Sequence, residues 1–238
     1  MRSMTYCGDN VVHASEKLSW YKGESLFQFL EHVAIDHEET TQEARFQVQY
    51  VIRPQTDELH DYRGYAGSIL SGSLKVGQRV HVLPLDTTTT IERIEKNQAE
   101  VEEAAAGEPI IIHLSDDLDV SRGSTLVSTD SHVQSENNLE TTICWMDNKP
   151  FQAGQKLLLQ QNSFRTKAVI KSVDAHIDIH SFEAVEQGDT INLNDFCKVT
   201  IKTAEAVAYD AYAKNRKTGA FILINENTNN TVAAGVIH

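Results

Sequence analysis

Phosphate chemistry is the first possibility that the glycine spacing raises. Gly67-Ser68-Ile69-Leu70-Ser71-Gly72-Ser73 has the two-glycine spacing of a loop whose backbone N–H groups cradle phosphates while a lysine reaches the outer ones. Here the second glycine leads into Ser73-Leu74, the lysine is missing and no helical pattern follows, so the segment reads as glycines in a β-hairpin. Asp61-Tyr62-Arg63-Gly64 has an Asp-x-x-Gly form too short to carry weight alone. Asn148-Lys149-Pro150-Phe151 begins like a guanine-reading loop, with Phe151 where the base-binding aspartate would stand. No nucleotide site is expected, and no cofactor.

Metal and acid–base chemistry come next. His176, Asp178 and His180 alternate along one predicted strand, so their side chains would share a face. Two imidazoles and a carboxylate can hold zinc or iron, but such ligand sets normally converge from several elements, and a solvated strand face is the plainer reading. Asp116, Asp117 and Asp119, beside Ser121 and Arg122, lack the sixth-position glycine and the distal glutamate of a calcium loop, and read as a solvated turn. No serine, threonine or cysteine sits in the local context of a nucleophile. The expected sets of catalytic, cofactor-binding and metal-ligating residues are therefore empty.

The elements that would position any site are mostly strands. Residues 23–34, GESLFQFLEHVA, carry an apolar stripe of Leu26, Phe29, Leu30 and Val33 at helical spacing. In RFQVQYVI the period changes to two, and Phe46, Val48, Tyr50 and Ile52 are expected to face one core. Short β-rich runs follow as far as STLV, separated by turns such as Lys75-Val76-Gly77-Gln78. Residues 130–139, DSHVQSENNL, are polar and aperiodic and read as a linker. A second β-rich block then runs to TVAAGVI, interrupted by YDAYAKNRKTG, which reads as a helical turn or an ordered loop. With no crossover helices between strands, the predicted fold is all-β: two consecutive antiparallel β-barrels behind a short N-terminal helix.

Composition narrows the function. The 238 residues suit two domains, and 34 acidic against 21 basic side chains give a net charge of -13, which repels phosphate backbones. Cys7, Cys144 and Cys197 are odd in number and far apart, as expected of reduced thiols in a cytoplasmic protein. No run approaches the ~20 apolar residues of a membrane span, and the opening MRSMTYCGDN has no apolar run behind Arg2.

Several segments in this order resemble one family. They are Gly8-Asp9-Asn10-Val11-Val12, Trp20-Tyr21-Lys22-Gly23, RFQVQYVIRP (45–54), DYRGYAGSILSGSLKVGQRVHVLP (61–84), AGEPIIIHLSDDLDVSRGSTLV (106–127), TICWM (142–146) and AYDAYAKNRKTGAFILINENTNNTVAAGVI (208–237). Together they resemble the large, GTPase subunit of bacterial sulfate adenylyltransferase, in the region after its G domain. The ending TVAAGVI is also similar to the last strand of the third domain of elongation factor Tu. The resemblance implies residues 1–43 as the end of a G domain plus a linker helix, 44–132 as a domain II-like barrel and 133–238 as a domain III-like barrel. It places GTP and Mg in a G domain that this truncated sequence lacks. Met4-Thr5-Tyr6-Cys7 stands where the family has a Ser-Ala pair, so no GTP-contacting residue carries over. It implies the small subunit as partner, with docking and coupling as the role in activating sulfate; the charge and the lack of a long apolar run add the expectation of neither nucleic acid nor membrane.

Within that reading Tyr209, Tyr212, Asn215 and Arg216 are the candidate partner contacts, because aromatics and arginine are enriched at interface centres and the segment interrupts the strands. The plainer alternative is that the two tyrosines cap the end of the second barrel. Two rival functions stand beside it. One is a barrel module of a translation-type GTPase that binds tRNA, against which the charge speaks. The other is a free-standing ligand- or metal-binding β protein using the His176–His180 strand.

Overall fold

The computed structural model describes residues 8–33, 43–54, 62–181, 183–185 and 188–238, and builds sixteen strands among them. Met4–Cys7, the acidic run Asp36, Glu38 and Glu39, His37, His60 and Asp61 lie outside the described residues. The chain divides into two compact units, residues 1–38 and 39–238.

In the first unit helix α1 spans Leu26–His32, inside the expected 23–34. Its start is set by a capping box: the Ser25 hydroxyl accepts from the Gln28 backbone N–H, and the Gln28 side chain accepts from Ser25 N–H. Val33 is extended and ends it. Of the predicted stripe, Phe29, Leu30 and Val33 are exposed and Leu26 is half-buried.

The second unit opens with nine strands: β1 (Arg45–Ile52), β2 (Gly64–Ser71), β3 (Ser73–Lys75), β4 (Arg79–Leu83), β5 (Thr87–Lys96), β6 (Ala99–Val101), β7 (Glu103–Ala105), β8 (Pro109–Leu114) and β9 (Thr125–Ser128). Six of them close an antiparallel barrel in the order β4-β9-β1-β2-β8-β5, sealed by β4 against β5. Phe46, Val48, Tyr65, Ile91, Ile112 and Leu126 fill its core. β6 and β7, made of Ala and Glu with one Val, have too little strand propensity to be read from sequence.

The expected alternation of β1 fails halfway. Phe46 and Val48 are fully buried, but Tyr50 is 67% exposed and Ile52 only half-buried. The register against β2 shifts between Val48 and Tyr50, and after this bulge Val51 packs toward the core instead. One extra residue flips every side chain beyond it.

Seven more strands follow: β10 (Gln134–Trp145), β11 (Leu157–Gln161), β12 (Phe164–Ile177), β13 (Ala184–Val185), β14 (Phe196–Tyr209), β15 (Ala220–Asn225) and β16 (Thr231–Ile237). The second ring runs β11-β15-β16-β10-β14-β12 and closes through β11 against β12. The polar stretch expected to be a linker through residue 139 is strand from Gln134, with Gln134, Ser135 and Glu136 opposite Tyr209, Ala208 and Val207. Those three residues are all exposed, so their backbone is paired while their side chains give no periodic signal.

Polar residues join the two barrels. Arg45 and Gln47 point away from the core of the first barrel yet are buried, because the second barrel covers them. Arg45 donates through Nε and Nη2 to the two Asp210 oxygens at 2.9 and 2.8 Å, and Nη2 also donates to Glu43 at 2.8 Å. Gln47 Oε1 accepts from Ser163 N and Oγ, both at 2.9 Å. Asn215 Nδ2 donates to Ser71 Oγ at 3.0 Å. Gly123 lies against Phe164 so closely that a Cβ there would stand 2.9 Å from Phe164 Cα, and its φ of +94° is one that L side chains rarely adopt.

Two outcomes are expected. Gly123→Ala strains the backbone and pushes the barrels apart, lowering unfolding free energy by more than about 1 kcal/mol in denaturant titration; an unchanged midpoint contradicts the contact. The Arg45 guanidinium, with Ser131 and the His132 N–H, holds the Glu43 carboxyl down to about 2 from 4.5. A depressed carboxylate stabilises the fold fully above its ordinary pKa, and loses that contribution as pH falls from about 4.5 through about 2. Glu43→Gln is therefore expected to flatten the stability profile in that window and nowhere else.

Candidate functional site

The loop from Asp210 to Gly219 joins β14 to β15 and is tied down at every turn. Asp210 holds Arg45 and accepts from Thr218 Oγ1 at 2.8 Å. Tyr212 N–H donates to Ile237 O at 2.9 Å, and Ile237 N–H donates back to Gly219 O at 2.8 Å. A Cβ on Gly219 would stand 2.4 Å from Tyr212 Cα, so only glycine lets the loop fold this tightly.

The four residues singled out from sequence separate into two pairs. Tyr209 is 5% exposed in the second core, and burial pushes its phenol above the ordinary value. Asn215 is 7% exposed and engaged with Ser71 between the barrels. Tyr212, 36% exposed, and Arg216 face outward.

Tyr212 also forms one wall of a groove of about 590 Å³ on the outside of the second barrel. Its floor is two cross-strand rows. Cys144, Ala234 and Ile222 sit opposite one another, as do Thr142, Val236 and Ala220. A Cβ on Gly235 would lie 2.5 Å from the Phe221 ring and 2.9 Å from Ile143, so this glycine lets inner side chains reach the floor. Phe196, 41% exposed, is the opposite wall. Sequence reasoning missed Phe196 and the outer row of β16, because TVAAGVI reads as a continuous buried run. The small residues Ala234 and Gly235 were the available signal.

Chemically the groove offers burial of apolar surface and no proton-transfer pair. Cys144 is its one thiol, and burial with Asp195 nearby raises the thiol pKa. Cys197, the next residue after Phe196, points into the core, where burial and the Asp195 charge push it up to about 12. Its Sγ lies 3.4 Å from His176 Nδ1, and His176 Nε2 lies 3.0 Å from Gly188 O. A carbonyl can only accept, so Nε2 carries the proton and Nδ1 faces the thiol.

The histidine strand expected to share one face does not exist as such. β12 ends at Ile177, His176 is buried, and Asp178 caps a turn by accepting from His180 N and Ser181 N, each at 2.8 Å. Among the described residues no group of three His, Cys, Asp or Glu side chains could hold a metal ion. In the Asp116 loop, Asp116 accepts from Thr89 Oγ1 at 2.7 Å and Asp117 pairs with Arg63. Gly67 is demanded by packing, since a Cβ there would stand 2.2 Å from Gln47 O.

Comparisons with known proteins follow the two barrels. Residues 65–127 match the family model "Elongation factor Tu domain 2", and residues 138–238 match "GTP-eEF1A C-terminal domain-like". Sulfate adenylyltransferase subunit 1 of Teredinibacter turnerae is 38% identical over 96% of this chain and 48% of its own length. The bifunctional enzyme CysN/CysC of Mycobacterium tuberculosis is 36% identical over 97% of this chain and 38% of its own. The chain thus spans half or less of these curated relatives. A solved structure of sup35 complexed with GDP superposes with a TM-score of 0.76 at 18% identity, covering 98% of this chain and 56% of that one, which speaks to fold alone. By sequence over nearly all its length, and by both barrels, the chain belongs with the elongation-factor-type domains of sulfate adenylyltransferase subunit 1.

Proposed function

We propose that this chain is the non-catalytic double-barrel portion of the GTPase subunit of a cytoplasmic sulfate adenylyltransferase, and that it docks and couples to the small subunit. In this reading the complete assembly converts ATP and sulfate to adenylyl sulfate, driven by GTP hydrolysis in a G domain that also holds the Mg. The observation that carries the docking role is the apolar groove between Tyr212 and Phe196 on the outer face of a closed barrel. Solvent-facing strand residues are ordinarily polar; here Cys144, Ala234, Ile222, Val236 and Ala220 face outward together. Such a patch, walled by two aromatics, is the anatomy of a binding surface. The relatives' name, subunit 1, supports a partner subunit.

The groove is placed by the interior. The buried Arg45–Asp210 pair begins the loop, Asn215 pins its middle and Gly219 its end, so Tyr212 is presented from a rigid base. Docking here would be sensitive to any shift between the barrels, which is the geometric requirement for transmitting a domain movement. A tRNA-binding role on the fold of sup35 is the weaker reading, since the chain carries a net charge of -13.

Co-purification with the cognate small subunit tests the docking role. Tyr212→Ala is expected to weaken binding about tenfold or more, and Arg216→Ala by less, with both variants remaining folded. Maleimide labelling at Cys144 is expected to slow in the complex, while Cys197 stays unreactive until the chain unfolds. Full affinity in Tyr212→Ala would remove the groove from the interface, and no binding by the native chain would remove the docking role. Titration with GTP is expected to give no heat of binding; one-to-one micromolar binding would contradict the non-catalytic reading.

A further inference from the structure

The cations of this acidic chain are distributed unevenly. In the first barrel, Arg63, Lys75, Arg93 and Lys96 each meet a carboxylate: Asp117, Glu103, Glu95 with Glu100, and Glu108. On the outer face of the second barrel the pattern reverses. Arg165, Lys167 and Lys171 project from β12 at alternate positions, and Lys198 and Lys202 from β14 beside it. Lys156, just before β11, extends the patch. All six are exposed, and among the described residues only Lys167 meets a carboxylate, Glu226, at 3.7 Å.

This clustering is not forced by composition, because carboxylates outnumber cations by 34 to 21. Val169 stands directly opposite Lys202, so Lys167 is a diagonal neighbour of Lys202, about 7–8 Å away. Like charges at that spacing repel one another, and an anionic partner relieves the repulsion. Lys156, Lys167 and Lys202, with Glu226, also rim a depression of about 310 Å³ that exposes Val169 and Ala204 between them.

We propose that this face is a second docking surface, and that its occupant is an acidic peptide segment of another protein. Arg165 and Lys167 stand about 7 Å apart along β12, the spacing of alternate side chains on an extended peptide, and Lys171 follows beyond Val169 at about twice that step. Val169 and Ala204 suit small aliphatic side chains placed between the acidic ones. A single-stranded nucleic acid would call for aromatic stacking platforms, and no aromatic side chain lines this depression. The overall charge of -13 also works against a long polyanion, and much less against a short one. The groove beside Tyr212 has its floor on β10, β16 and β15 and its wall at Phe196, the start of β14; Lys198 stands opposite Thr142 at its margin, and Arg165, Lys167, Lys171 and Lys202 lie further round the ring on β12 and the middle of β14. The depression shares no lining residue with the groove, so this surface does not rest on the partner proposed there.

The test is fluorescence anisotropy with a labelled peptide of about ten residues in which Glu alternates with Val or Ala. The whole chain is expected to bind it, with affinity falling as NaCl rises from about 50 to about 500 mM. The double substitution Lys167→Glu/Lys202→Glu is expected to weaken binding by about tenfold, and Arg165→Gln/Lys171→Gln by about threefold. Tyr212→Ala is expected to leave it unchanged, and unfractionated tRNA is expected not to compete. Absence of binding by the native chain, or equal binding by the charge-reversed chain with its circular dichroism intact, overturns the proposal. Displacement of the peptide by tRNA, lost with the same reversal, overturns it in favour of a nucleic-acid face.

Discussion

A buried guanidinium holds this structure together. Arg45 is 2% exposed, and its fork is filled by both oxygens of Asp210, with Glu43 and the Ala44 carbonyl taking further N–H groups. Burial opposes the charge, and the two carboxylates outweigh it. A charge in such a place must keep its partners, because an unpaired one costs about 3–5 kcal/mol. Asp210 lies 165 residues further along the chain, so the pair joins the first strand of one barrel to the exit of the fifth strand of the other. The groove proposed as the docking site on the second barrel depends on that exit. Tyr212 follows Asp210 by two residues, and Asn215 and Thr218 return to the same buried network.

How much of this could be read from the residues depends on which force positions them. Period-two alternation in RVHVL reports a face turned to a core, PIIIHL is β-rich and of strand length, and both strands stand where they are expected. The same rule misplaced Tyr50, because a bulge is a property of pairing with β2 and leaves no mark in β1 alone. Arg45 and Gln47 read as solvent-facing polar residues of a strand; only a barrel distant in sequence makes them interior. The polar start of β10 reads as a linker because a strand exposed on both faces has no apolar period. Among the candidate contacts, the sequence could show that Tyr209, Tyr212, Asn215 and Arg216 interrupt the strands, but not which of them turn inward. That sorting is made by β16, whose last residue bonds Tyr212, and by Ser71 in the other barrel.

The surface is organised by the closure of the two rings. With every strand of each ring paired on both sides, no free edge remains on the ring strands for β-augmentation, and recognition is left to outward side chains and loops. On the second barrel those side chains separate into an apolar groove and a cationic face with no lining residue in common. On the first barrel, oppositely charged neighbours largely neutralise one another.

The central claim is that Arg45 and Asp210 act as one unit and thereby make the two barrels one body. A double-mutant cycle with Arg45→Met and Asp210→Asn, read by chemical denaturation, tests it most directly. Each single substitution is predicted to cost about 3–5 kcal/mol, and the double substitution little more than either alone. Small single costs that simply add, or two separate unfolding transitions in the unaltered chain, would contradict the account.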